Sequence, residues 1–288
     1  MALFSVHFDG PITVDHKVSI RVLSKTYEHM QRAIDRAFLI ETYGDVYKHA
    51  RLTADQYAQT EFFAEYPREG GIFLDATRHG AGAVIDRIAS AIRPVFEQAL
   101  AQGLLQHSTL GAQFQERARY VAQMGERTRP FADVLQQPPP NWAPAYSNRS
   151  VIKEIDQLAL QIAPDRVAGS TVDIGLIGDQ PHLPFSFDAR VAKRFHEIAA
   201  YREYGAPMVI NGLIRSLDRG NKHSKPSAKV QNLDTGREVT LLCSRREDAD
   251  TLHPYHNNQP VRLYVSPFIE ALGFDLMGGD LMFIAVVE

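Results

Sequence analysis

The sequence contains a single cysteine, Cys243, among its 288 residues. One thiol cannot form an intrachain disulfide, and this chain alone cannot supply the cysteine ligands of a zinc ribbon or an iron–sulfur cluster. We therefore expect an apolar core to provide the stability of the fold, in a reducing compartment such as the cytoplasm.

Long hydrophobic runs are also missing. No apolar stretch approaches the about 20 residues of a membrane-spanning helix, and the first ten residues lack the basic start and long apolar centre of a signal peptide. The composition, 44% hydrophobic and 23% charged, is that of a globular chain long enough for one large or two medium domains. The sequence thus predicts neither membrane insertion nor secretion.

Nucleotide-binding motifs are absent as well. Neither a G-x-x-x-x-G-K-[ST] nor a G-x-G-x-x-G string occurs, which argues against a P-loop or Rossmann site. The densest group of ligand-type side chains is His253 and His256, with Asp248 and Asp250 upstream. Pro254 interrupts the spacing that a helical zinc site would need, so we predict a solvated loop without metal. No cofactor is expected.

The environment of Cys243 allows two interpretations. The residue ends the apolar segment 239–243 and precedes Arg245 and Arg246, which would stabilise a reactive thiolate. No histidine stands at a spacing typical of a cysteine catalyst. We therefore predict a buried, unreactive cysteine.

Hydrophobic periodicity predicts helices and a few strands in the first 200 residues. In chain order the predicted elements are a strand at 2–8, a helix with Ser24 as N-cap, a hairpin of strands at 57–66 and 71–76 around the loop 67–70, helices at 81–102 and 109–135, a short helix at 152–162, a hairpin around Gly178, and a helix capped by Asp188.

A proline-rich segment, QQPPPNWAPAY, occupies residues 136–146. Consecutive prolines favour extended geometry and exclude a helix, so we predict a linker at 138–149, with a proline-rich ligand for another protein as the alternative. The predicted domains are an N-terminal α/β domain at 1–137, a helix–hairpin–helix segment at 150–204 and a barrel at 205–288.

Five short strands are predicted in the C-terminal part, at 208–217, 227–233, 238–243, 260–265 and 280–287. This spacing is typical of a small barrel of the OB or SH3-like kind. The predicted fold class is α+β (mixed α/β), with a helix-rich N-terminal body and a small sheet followed by the five-stranded barrel.

Several short features occur in a recognisable order. They are Phe8-Asp9-Gly10 at the end of the first strand, Asp15-His16, Tyr27 in the first helix, a hairpin, a long helix, and the C-terminal segment NGLIRSLD that begins at Asn211. In this order the chain resembles a family of bacterial proteins of unassigned function. The resemblance implies a bacterial cytoplasmic origin and an α/β region followed by a small barrel, and it implies no activity.

Basic residues are concentrated in the predicted barrel. Residues 206–246 include eight basic and three acidic side chains, a net charge of +5, whereas the whole chain carries −3. Basic barrel surfaces attract phosphate backbones by releasing counterions. The predicted nucleic-acid-binding residues are Arg215, Arg219, Lys222, Lys225, Lys229, Arg245 and Arg246. We expect the loop 219–229 to be irregular and to follow a backbone, with Tyr255, Tyr264 and Phe268 as the nearest aromatics for base stacking.

These observations favour a non-catalytic binding or scaffolding subunit of a bacterial multi-protein system, with antiviral defence as one setting. The N-terminal body would meet protein partners, and the barrel would contact nucleic acid, a nucleotide or another subunit. The alternative is a hydrolase or nuclease whose Asp, Glu and His side chains come from distant segments. A cleft in which at least three such groups converge would distinguish the enzyme.

We predict that the protein forms a homo-oligomer or binds a partner protein, because apolar helix stripes and exposed strand edges favour association. Light scattering at micromolar concentration measures the mass of the particle. A mass near the 32.3 kDa of one chain, with no protein co-purifying, would contradict this prediction.

Overall fold

The computed structural model describes residues 1–47, 50–65, 72–101, 108–140, 142–164, 167–180, 184–256, 259–271 and 273–287. The helices are α1 (Ile20–Tyr43), α2 (Ala54–Thr60), α3 (Gly82–Leu100), α4 (Leu110–Met124), α5 (Phe131–Gln136), α6 (Trp142–Ala159), α7 (Ala189–Ala199) and α8 (Arg246–Leu252). The strands are β1 (Ala2–Asp9), β2 (Phe63–Ala64), β3 (Ile72–Arg78), β4 (Arg129–Pro130), β5 (Thr171–Ile177), β6 (Phe185–Asp188), β7 (Arg202–Tyr204), β8 (Met208–Asp218), β9 (Ser227–Asn232), β10 (Glu238–Leu242), β11 (Pro260–Glu270) and β12 (Leu281–Val286). The predicted α+β class is confirmed.

Contacts divide the chain into two compact units, and each unit is built from two separate stretches of sequence. Unit 1 contains Met1–Leu104 and Ser147–Tyr201, and unit 2 contains Leu105–Tyr146 and Arg202–Glu288. This division differs from the consecutive segments predicted above, although the barrel segment 205–288 does fall within a single unit. None of the helices in the described ranges combines the length and apolarity that crossing a bilayer requires.

Unit 1 is organised around an antiparallel sheet in the order β2-β3-β1-β5-β6. Strand β1 is central, and its side chains alternate between buried and partly exposed, so that Phe4, Val6 and Phe8 all lie on the core face. Helices α1, α3, α6 and α7 contribute side chains to the same core. There Phe187 packs edge-on against Phe96 and Phe195, with ring centroids 5.0 and 5.4 Å apart.

Unit 2 contains a closed barrel of five strands. The order is β8-β9-β10-β12-β11, and pairing of β11 with β8 completes the circle. Strands β10 and β12 run parallel, the other barrel pairs are antiparallel, and α8 connects β10 to β11. This order and the position of the helix are those of an OB-fold, which resolves the choice between the two barrel kinds. Strands β4 and β7 pair with β8 and β11 outside the circle.

Two predictions near the N-terminus are wrong in detail. Helix α1 begins earlier than predicted, because the N-cap is Ser19, whose side chain accepts a hydrogen bond from the Val22 amide, rather than Ser24. Residues 57–60, which were predicted to begin a hairpin strand at 57–66, belong to α2 instead, whereas the antiparallel pairing of that hairpin is present between β2 and β3. A capping box of Thr53 and Gln56 starts that helix, and this local signal outweighs the extended pattern. The predicted loop 67–70 lies outside the described residues.

The predicted helix 109–135 and the predicted linker 138–149 also need correction. Helix α4 ends at Met124, and a 3₁₀ turn at Gly125–Arg127 and strand β4 separate it from α5. The linker segment contains the start of α6, which has Pro144 in its first turn. Proline is tolerated there because the first amides of a helix have no acceptor within it.

Strongly patterned elements match the predictions closely. Strand β1, the β5–β6 hairpin, the Asp188-capped helix α7 and the five barrel strands are confirmed. Helix α8 was not predicted, because the segment around it was expected to be a solvated loop.

The cap of α7 gives a test of this fold. Asp188 Oδ1 accepts a hydrogen bond from the Val191 amide at 2.7 Å, in a part-buried position. We expect Asp188→Ala to lower the free energy of unfolding by about 1 kcal/mol, because that amide loses its acceptor. Urea denaturation measures this. Asp188→Asn keeps an acceptor oxygen and should lose much less; equal losses in both variants would contradict the capping role.

Candidate nucleic-acid interface

The loop between β8 and β9 is a hydrogen-bonded turn rather than the irregular segment expected from the sequence. Asn221 Oδ1 accepts hydrogen bonds from the amides of His223 and Ser224 at 2.7 and 3.1 Å. Gly220 has φ +68°, and a Cβ at this position would lie 2.6 Å from the Ser224 carbonyl oxygen. The turn therefore requires glycine at 220, and it holds Lys222 and Lys225 in exposed positions.

The strands next to this loop present further basic side chains. Lys229 on β9 faces outward, opposite Thr240 on β10, and its Nζ lies 3.0 Å from Thr240 Oγ1. A shift in the β8–β9 register between Ile214 and Ser216 leaves Arg215 as a bulged residue, and Ser216 then pairs with Lys229. Arg215 and Lys229 are consequently both exposed at neighbouring positions of one barrel face.

Arg245 and Arg246 lie at the same end of the barrel as the loop. Strand β10 ends at Leu242, opposite the first residue of β9, and the Cys243 amide donates to the Pro226 carbonyl at 3.0 Å. The arginines follow as the N-cap and first residue of α8. Arg219 joins the loop to this helix through an ion pair with Asp250, Nη2 to Oδ1 2.9 Å.

The structure therefore brings the predicted binding residues together. We call them the basic surface; it comprises Arg215, Arg219, Lys222, Lys225, Lys229, Arg245 and Arg246, all of which are exposed. Arg237, which also contributes to the local positive charge, follows the turn at the far ends of β9 and β10 instead.

Acidic side chains reduce the positive charge of the basic surface. Asp250 is paired with Arg219, and Asp248 lies 3.8 Å from Arg245. Asp248 also accepts hydrogen bonds from the amides of Ser244 and Arg245 at 2.8 and 2.9 Å. These carboxylates form part of the start of α8, so the electrostatic attraction for a polyanion is weaker than the sequence count of +5 indicates.

The structure also contains a groove beside the basic surface, and this groove was not predicted from the sequence. It has a volume of about 440 Å³, and its lining includes Ser216, Arg219, His253 and His256. The groove depends on α8, which places the two histidines beside the end of β8. Asp248 accepts a hydrogen bond from the Arg245 amide at the start of that helix, but arginine has no acceptor atom to cap the helix in return, so the sequence signal for α8 was weak.

The cysteine near this surface is buried rather than reactive. Cys243 is buried, and this burial, with Asp248 nearby, raises the pKa of its thiol to about 12, which confirms the prediction of a buried cysteine and opposes thiolate formation. Within the described ranges, no three histidine, cysteine or acidic side chains are grouped so that they could hold a metal ion.

None of the aromatic side chains suggested for base stacking lies on β9 or β10. Tyr264 and Phe268 are on β11, and Phe268 packs against Tyr204 of β7 with ring centroids 5.7 Å apart. Tyr255 packs against the barrel core. The outward positions of β9 and β10 are all non-aromatic; they are Ser227, Lys229, Gln231, Glu238, Thr240 and Leu242. Base stacking therefore has no platform on these two strands.

We predict that the His253/His256 groove binds no zinc with useful affinity, because Asp250 is engaged by Arg219 and Asp248 by the start of α8. Elemental analysis after purification and dialysis measures the bound metal. About one zinc per chain that disappears in both His253→Ala and His256→Ala would contradict the prediction.

Comparison with known proteins adds no further constraint. No protein-family model, curated protein or solved structure matches the chain. The resemblance to a bacterial family therefore stays a prediction. The strand order assigns the OB-fold on its own, and a fold does not by itself fix a function, so any function has to be argued from the site.

Proposed function

We propose that the protein is a non-catalytic binding subunit whose barrel contacts the phosphate backbone of nucleic acid through the basic surface. The observation that carries the proposal is the convergence of exposed basic side chains on the loop between the first two barrel strands and on the adjoining strand face. In OB-folds this loop and the surface of the second and third strands are the usual place for oligonucleotides, which supports the proposal by analogy of fold.

The chemistry of the basic surface favours contacts to phosphate over contacts to bases. Lysine and arginine neutralise phosphates without reading sequence, and the absence of aromatics on β9 and β10 removes the stacking that strengthens single-strand binding. Carboxylates beside Arg219 and Arg245 weaken the attraction further. We therefore expect weak, salt-sensitive binding with little sequence preference.

The enzyme alternative finds little support in the groove beside the basic surface. Its described lining includes two histidines and no acidic side chain, which is one group fewer than the three converging Asp, Glu or His side chains expected of the enzyme. Asp250, which follows the lining residue Ala249, is bound to Arg219.

Protein partners form the second half of the proposal. Unit 1 exposes several large apolar side chains, among them Val14, Ile20 and Ile177, which are 68%, 83% and 55% exposed. Exposed apolar side chains of this kind contribute to protein interfaces where they form a contiguous patch. We propose a cytoplasmic setting in a multi-protein system, with bacterial antiviral defence as one such system. Purification with native neighbours and mass spectrometry would identify what binds.

A salt series tests the nucleic-acid half. We expect labelled oligonucleotides to bind with a log–log salt slope of about −2 to −3, the value for about three phosphate contacts. Replacing Lys222, Lys225 and Lys229 together with alanine should make the slope clearly shallower. The unfolding midpoint should change little, because these lysines are exposed. Fluorescence anisotropy with single-stranded and duplex oligonucleotides measures both quantities.

A matched control variant distinguishes an effect of the basic surface on binding from an effect of the net charge of the whole chain. Lys17, Lys25 and Lys193 are exposed lysines of unit 1, and changing all three to alanine removes the same total charge. This control should bind like the wild type. The proposal fails if the wild type does not bind at low salt, or if the barrel variant binds as tightly as the control.

A further inference from the structure

Unit 1 contains a cavity that the proposed function does not use. It has a volume of about 300 Å³ and lies between α1, α2, the segment 50–52 and α6. Three arginines line it, Arg32 and Arg36 from α1 and Arg51 from the segment before α2. We call this cavity the arginine pocket. Guanidinium groups at three positions of one small cavity indicate an anionic ligand.

The backbone fixes where these arginines lie. Arg32 and Arg36 are four residues apart, so they project from the same side of α1. Arg36 Nη1 donates to the carbonyl oxygen of Ala50 at 3.1 Å, which ties the residue before Arg51 to the helix. Arg36 therefore holds the third arginine near the other two, and the pocket is formed before any ligand binds.

The charges of the three arginines are only partly neutralised within the protein. Arg32 forms an ion pair with Glu28, Nη2 to Oε1 2.7 Å, in which both side chains are about half exposed. Water screens such a pair, so it competes weakly with a bound anion. Among the described residues, no ion pair within 4.0 Å joins Arg36 or Arg51 to an acidic side chain.

The two carboxyl groups that line the pocket are bound to other side chains. Glu154 Oε2 lies 2.8 Å from His29 Nδ1, and both side chains are largely buried. Asp35 Oδ1 accepts a hydrogen bond from Gln31 Nε2 at 2.8 Å. Burial raises the pKa of the Asp35 carboxyl above its ordinary value, against the opposing effects of Gln31, Thr60 and Arg36. Asp35 therefore offsets part of the charge of Arg36, but among the described residues neither carboxylate forms an ion pair within 4.0 Å with any of the three arginines.

We propose that the arginine pocket binds a small organic phosphate, a phosphomonoester of about the size of a nucleoside monophosphate. A phosphate group offers several oxygens to donors arriving from three directions, and arginine binds it through paired hydrogen bonds. A volume of about 300 Å³ lies at the lower limit of ligand pockets, which favours a compact ligand. Tyr57 also lines the pocket and is 59% exposed, so its ring is available to cover an attached base or sugar.

Calorimetric titration of the full chain with AMP and with inorganic phosphate, at constant ionic strength, tests the proposal. We expect the Arg32→Ala/Arg51→Ala double variant to bind AMP at least tenfold more weakly than the wild type, since each charged contact is worth about a factor of ten. Arg36 is left unchanged because it also holds the Ala50 carbonyl. Asp35→Asn should bind AMP as tightly as the wild type or more tightly.

Controls separate this site from the basic surface. Arg21→Ala/Arg190→Ala removes two exposed arginines elsewhere in unit 1 and should leave AMP binding unchanged. The Lys222/Lys225/Lys229 alanine variant should also bind AMP like the wild type, while Arg32→Ala/Arg51→Ala should bind oligonucleotides normally. The two proposals can thus fail independently.

Three results would overturn the assignment. The first is no measurable binding of AMP or phosphate to the wild type. The second is an equal loss of AMP binding in the double variant and in the Arg21/Arg190 control, with circular dichroism showing both folded. The third is tighter binding of succinate than of either phosphate compound, which would make the ligand a carboxylate.

Discussion

Closure of the barrel through β8 and β11 is the constraint on which the candidate interface depends. Strand β8 pairs with β9 on one side and β11 on the other, so both of its edges are occupied. Its alternate side chains, including Ile210 and Ile214, then have to fill the interior, and the charged positions are forced outward. The following loop begins and ends on paired strands, which allows so short a segment to fix Lys222 and Lys225.

The bulge in β8 has a specific effect on this interface. Regular alternation after Ile214 would place Ser216 inside the barrel and Leu217 outside. The extra residue reverses this order: Arg215 and Ser216 are both exposed, and Leu217 packs against the core. The bulge thus adds a basic side chain beside Lys229 without placing a leucine in water, and one local irregularity serves both the packing of the core and the charge of the surface.

Sequence patterns predicted the parts of the molecule whose determinants are close together in the chain. The barrel strands alternate regularly, and the basic surface comes from one stretch of 32 residues, from Arg215 to Arg246, so both could be predicted. The linker prediction failed because Pro144 is compatible with a first helical turn. The arginine pocket could not be predicted, since Arg32 and Glu154 are brought together only by the packing of α1 and α6.

The arrangement of the charges indicates different ligands for the two sites. On the barrel, the basic side chains are distributed along a strand face, a loop and the start of a helix, and an extended polymer can contact them in succession. In unit 1, three arginines line a single cavity of about 300 Å³, a size that suits a compact anion. The net charge of each site alone would not distinguish a polymer-binding site from a site for a small anion. Charges spread along a surface select ligands by length, and charges around one cavity select them by size, so binding to one site should predict little about binding to the other.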